Sequence, residues 1–436
     1  MRMSGLSFES MPPLFIPLRF FLTAPFFGIL ASLLFLFDAQ LIHSSRWSGE
    51  TLAITHLLTL GFMLMSMTGA MFQFIPVITG YAIPASKHIT SSIYFSLIFG
   101  SLFLTAGFLT QKVVFFQFAL FFLAVVLVVF IGSLSYLLIT LKSKKEAVFV
   151  LRLVDVSLLI TLVLGLFMTM GYSFNGLGIA YREYTDLHLM WGLVGWTILL
   201  ILAVSSQVIP MFHVAPAFPA LYLKILSVFI MLCLMSLTLL VLTDSSDQLI
   251  KIADFSLSFG ILVYAFYSLF MINKRKRKVK DITINFWRLA LTILILVVAL
   301  YWSNALINQY YVIELELLLG LLFIFGFAIS CIIGMMQKIV PFIIYMHLQR
   351  KIMLKPTKMG LLPNMQSLIS VKNQQVQLYL HILTLLLMSL SIVFNSVFVL
   401  SLLAAVMMFL NFSWLAYNLY YSSKQYWLIS QQLEKG

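Results

Sequence analysis

Charge and cysteine are what this 436-residue chain has least of. Asp, Glu, Lys and Arg make up 9% of it, acidic residues number only 14, and there are two cysteines. A soluble globular chain is about a quarter charged and about half apolar, whereas this one is 62% hydrophobic. No soluble fold has enough interior to hide that much apolar side chain, so the solvent must be lipid. A soluble enzyme, a nucleic-acid-binding domain and a disordered scaffold are excluded. Cys233 and Cys331 both lie in apolar runs, which leaves no disulfide framework and no cysteine metal knuckle. An alternating ten-residue pattern is also missing, which removes a membrane β-barrel. The first apolar run follows Arg19 and has no small-residue cleavage site behind it, so it reads as a first span and not as a cleaved signal peptide.

What the chain does have is apolar runs of about 20 residues, the length that crosses a bilayer as a helix. Twelve are predicted, near 20–38, 53–77, 90–110, 114–140, 149–172, 187–212, 219–242, 249–273, 284–304, 315–344, 376–394 and 396–421. The fold class is an all-α integral membrane protein, one transmembrane domain over residues 1–436. Lys and Arg collect in cytoplasmic connections. With the N-terminus inside, 22 of the 27 basic residues fall on that face, four fall outside, and Lys338 lies within a span. Both termini are therefore expected in the cytoplasm of a bacterial-type inner membrane. The net charge of +13 then faces the anionic inner leaflet and needs no nucleic acid. Residues 346–375 read as a cytoplasmic loop carrying a short surface helix.

A motif recurs three times. His56-Leu-Leu-Thr-Leu-Gly61-Phe62 leads to Gln73-Phe-Ile-Pro76, His188-Leu-Met190 through Gly195-Trp196 leads to Gln207-Val-Ile-Pro210, and Gly326-Phe327 leads to Lys338-Ile-Val-Pro341. Glycine and proline are common in membrane helices, and one such motif carries little weight. Three of them, on the second span of each quartet, predict a 4 + 4 + 4 chain with repeats at about 15–140, 149–273 and 284–421. Three pseudo-threefold four-helix arcs follow from that, and twofold transporter repeats do not.

Intramembrane histidine is where function is sought. Aligning the repeats places His56, Met190 and Leu321 at one position, with His188 two residues earlier. Imidazole and thioether are the usual axial ligands of haem iron, so His56, His188 and Met190 are candidate cofactor ligands, His56 and His188 also for a copper ion. Each has a plainer role: an interhelical hydrogen bond for the histidines, or core filling for one of 23 methionines. His43 and His381 are secondary candidates, while His213 and His347 read as cations at helix C-termini. Arg152 with Asp155, and Lys251 with Asp254, are spaced as ion pairs. Lys338 is free to snorkel, or to meet an anion such as a haem propionate.

At these residues the chain resembles the twelve-helix catalytic subunit of the haem-copper oxidase superfamily. The segment Thr55–Gly80 is similar to that subunit's second helix, whose histidine ligates a low-spin haem, and Asp186–Pro210 is similar to a His-rich helix of the cbb3-type members. The resemblance implies His56 as a haem ligand. It does not extend to the copper site, since no His-Pro-Glu-Val-Tyr stretch, His-His pair or His-x-His stands at the expected helices. The remaining picture resembles the NnrS-like haem and copper membrane proteins: haem-binding, redox- or diatomic-gas-related, served by an electron-donor protein or a gas ligand, and not a proton-pumping oxidase. Whether it is an enzyme stays open. A cofactor-free twelve-helix permease and a noncatalytic assembly subunit are the alternatives.

Overall fold

A computed structural model describes residues 10–38, 45–84, 87–174, 182–276, 279, 281–307, 314–394 and 397–434. Twelve of its helices are long and apolar enough to cross a membrane: α1 Phe15–Phe37, α2 Gly49–Thr79, α3 Lys87–Thr110, α4 Val113–Thr140, α5 Glu146–Ser173, α6 Thr185–His213, α7 Ala220–Leu242, α8 Asp247–Asn273, α9 Ile282–Ser303, α10 Leu315–Met353, α11 Val371–Val393 and α12 Phe398–Glu434. No strand occurs among the described residues. In hydrocarbon every backbone polar group needs an internal partner, which a helix supplies to itself. The chain is an all-helical, multi-pass membrane protein.

The twelve helices are not equally buried. In the most apolar stretch of each, 89% of residues are buried in α2 and 67% in α6 and α10, against 50% or less in the other nine. The three helices that carry the repeated motif are thus the three innermost by burial. They share a further feature. Each changes from α to π winding for eight residues, at Leu57–Leu64, Trp191–Ile198 and Leu322–Ile329, and each passes a proline, at Pro76, Pro210 and Pro341, without ending. From the start of each π segment to its proline is 19 residues in all three. π segments are rare and concentrate at functional sites. All three fall in one register on the helices that carry the recurring motif. A fourth, at Val126–Ile131 in α4, has no counterpart among the described helices.

Two compact units emerge. One holds Phe74–Val279 and Leu291–Gln309, the other Pro12–Gln73, Lys280–Ala290 and Tyr310–Gly436. The division falls inside α2 after Gln73 and inside α9 after Ala290. In the second unit, α1 lies so close to α2 and α12 that a Cβ on Gly61 would run into the Phe27 ring, and one on Gly28 into the Phe412 ring. Small residues let membrane helices approach in this way, where van der Waals contact replaces the hydrophobic effect. Phe62 and Phe325, both in π segments, meet Phe412 edge-on at centroid distances of 5.1 and 6.1 Å.

In the first unit, Phe116 stacks on Tyr172 at 4.8 Å, joining α4 to α5. Asp155 and Arg152 do not pair as their spacing suggested. Asp155 Oδ2 accepts from Ser135 Oγ at 2.6 Å. Arg152 donates to the Leu138 and Leu141 carbonyls at 2.9 and 2.7 Å. The carbonyl-rich, negative end of α4 attracts the guanidinium, and the short aspartate side chain meets the neighbouring helix first. Asp254 likewise takes Tyr301, at 2.7 Å, in place of Lys251.

Two boundaries also differ from the sequence reading. α10 runs on to Met353 and α12 to Glu434, so the connection predicted at 346–375 is confined to residues 354–370. It contains turns at Pro356–Leu361 and Met365–Leu368. This connection grips the end of α12. Lys355 and Lys358 donate to the Leu433 and Gln432 carbonyls at 2.8 and 3.0 Å, where positive charge complements the helix dipole. Ser422 Oγ donates to the Leu368 carbonyl at 2.7 Å. Apolar periodicity stops at the membrane surface, whereas these partners let helix continue past it.

Candidate haem-ligating positions

α2 starts on a side-chain cap: Ser48 Oγ accepts from the Thr51 amide at 3.1 Å. Two turns later His56, half-buried, is the last α-helical residue before the π segment. Its Nδ1 lies 2.8 Å from the Leu52 carbonyl. A carbonyl only accepts, so Nδ1 carries the proton and Nε2 carries the ring's lone pair. This is the tautomer that metal-bound histidine adopts, with the far nitrogen held by a backbone carbonyl.

His188 has the same tautomer for a different reason. Its Nδ1 donates at 2.9 Å to the carbonyl of Thr161 in α5, not to Asp186 two residues away. Room for the ring comes from Gly165, where a Cβ would sit 3.0 Å from His188 Cε1. His188 therefore ties α6 to α5. Met190, half-buried, stands immediately before the π segment of α6, as His56 does in α2 and Leu321 in α10. The winding of the helices thus sets Met190, and not His188, in the register of His56. His56 belongs to the second unit, and His188 and Met190 to the first.

The other sequence candidates divide differently. His43 lies outside the described residues. His213, at the C-terminal end of α6, is buried. Lys338, expected to snorkel or meet an anion, pairs with Asp281 at 2.8 Å, both side chains about 15% exposed (14% and 15%). Asp281 also accepts from the Thr283 amide and hydroxyl at 3.1 and 2.7 Å, so it caps α9 and neutralises Lys338 together. Glu316 pairs with Arg46 at 3.2 Å.

Sequence reasoning left His381 as a minor ligand candidate, and missed what surrounds it. The residue is completely buried and stacked on Phe325 at 4.7 Å. Nε2 is 2.7 Å from Ser330 Oγ and Nδ1 is 3.4 Å from Asn411 Nδ2. The signal was present in the chain: Asn373, Gln377 and His381 recur every four residues along one face of α11.

Among the described residues no group of three or more His, Cys, Asp or Glu is placed to hold a metal ion. A copper ion bound by protein alone needs such a group. Haem iron takes four ligands from its porphyrin and asks the protein for one or two, which is the donor chemistry His56 offers. No protein-family model matches the chain, and no curated protein matches it.

Proposed function

We propose that the chain is a haem-binding membrane protein with His56 as an axial ligand, related in plan to the haem-copper oxidases and nearest in character to the NnrS-like proteins. The observation that carries this reading is the Nδ1–H bond of His56 to Leu52, at the entrance to a π segment repeated in register on α6 and α10. Bound haem would supply one-electron or diatomic-gas chemistry. The protein's own part is to hold the imidazole in the ligating tautomer and exclude water from the iron. Haem is favoured over copper because it needs the fewer protein ligands. An inner membrane with cytoplasmic termini, and an electron-donor protein or a small gas as partner, belong to the same proposal.

The test is a visible spectrum of detergent-purified protein expressed with ample haem. A Soret band that shifts on reduction and on nitric oxide addition is the expected result, and absence of any Soret band overturns the proposal. A cofactor-free permease is the competing reading, and the engagement of His188 with α5 is the observation in its favour. Solute uptake by protein without haem decides for it.

A further inference from the structure

The buried side chains between α10, α11 and α12 form a hydrogen-bond chain whose polarity is forced at both ends. Gln377 Nε2 lies 2.9 Å from the Asn411 backbone carbonyl and 2.7 Å from Asn411 Oδ1. The backbone carbonyl accepts only, so the nitrogen of the Gln377 amide must face it. Asn411 Oδ1 then accepts from Gln377, and Asn411 Nδ2 is left to donate to His381 Nδ1. At the far end Ser330 Oγ donates to the Gly326 carbonyl at 2.7 Å, so it accepts from His381 Nε2. His381 is thereby the neutral Nε2–H tautomer, the opposite of His56 and His188. The chain ends on carbonyls of the α10 π segment.

One turn toward the start of α11, Asn373 Nδ2 donates to Asn418 Oδ1 at 3.1 Å. The residues of the two rungs leave two orphaned atoms of opposite kind. Gln377 Oε1 is an acceptor with no partner, and Asn418 Nδ2 is a donor with no partner. Gln377 is 0% and Asn418 1% exposed. An unmade hydrogen bond of this sort costs about 1–3 kcal/mol per group, and buried polar groups left over by protein partners are the places where internal water resides.

We infer that a single buried water bridges Asn418 Nδ2 and Gln377 Oε1, accepting from the first and donating to the second. The two rungs then become one continuous chain: Asn373, Asn418, water, Gln377, Asn411, His381, Ser330 and the Gly326 carbonyl. Its effect is to set the His381 tautomer and hold the α10 π segment from the α11–α12 side. The inference is independent of haem.

The experiment is an experimental structure of the full chain in lipid nanodiscs, at a resolution that shows ordered water. A density peak within hydrogen-bond distance of both atoms is the expected result. A direct Gln377–Asn418 contact, or an empty gap, overturns the inference. Thermal unfolding of N418L, Q377L and the double variant gives a second reading. A shared water is lost by either single variant and is counted only once in the double, so the double variant loses less than the sum of the two single losses. Additive losses overturn it. Solid-state nitrogen NMR of histidine-labelled protein, assigned with H381Q, reads the tautomer: His381 is expected to be Nε2–H in the wild type, and an Nδ1–H resonance overturns the chain's polarity.

Discussion

α2 and α6 run through the same repeat, with the same π segment and the same proline, yet their histidines are used differently. His56 donates to its own helix, at Leu52. His188 donates to α5, at Thr161, and sits on Gly165, so it is part of a helix–helix joint. The same repeat and the same tautomer therefore do not mean the same use: one imidazole is oriented from its own helix and the other from a neighbouring one.

Substitutions at the two helices break or sharpen this contrast. His56→Ala is expected to have the largest effect: the low-spin haem spectrum disappears or becomes five-coordinate, while the protein still folds, as read by its melting temperature. An unchanged low-spin spectrum would remove His56 from the site.

Packing at the two repeat glycines should differ in the same direction. A Cβ at Gly61 would run into the Phe27 ring, whereas one at Gly195 meets Ser157 at 3.0 Å. Overpacking costs about 1–3 kcal/mol, so Gly61→Ala is expected toward the upper end of that range and Gly195→Ala toward the lower. Melting temperatures in one detergent rank them, and the reverse order would contradict the packing described. Next comes loss of the α2 cap: Ser48→Ala should cost about 1 kcal/mol, with no counterpart in α6, where no side chain caps the start of the Thr185–Met190 turn. The smallest effect is expected at Thr238→Val, which removes the acceptor of the Trp191 indole at 2.9 Å. Interhelical hydrogen bonds in membranes average only about 0.6 kcal/mol.

Much of this was legible in the chain before any coordinates. Twelve spans, their helical character and most of their ends follow from apolar run length, because lipid admits few other structures. The repeat was legible too, since Gly61, Gly195 and Gly326 mark it in one dimension. What tertiary structure decided was partner choice and winding. Arg152 and Asp155 are three residues apart and still find other partners, because a helix end and a hydroxyl on α4 lie nearer in space. Lys338 is paired by Asp281, 57 residues earlier. The tautomers of His188 and His381 depend on groups of other helices, reached only after packing, whereas that of His56 is set within its own helix. Run length records the solvent a chain must satisfy, while hydrogen-bond direction is settled only when helices distant in sequence come into contact.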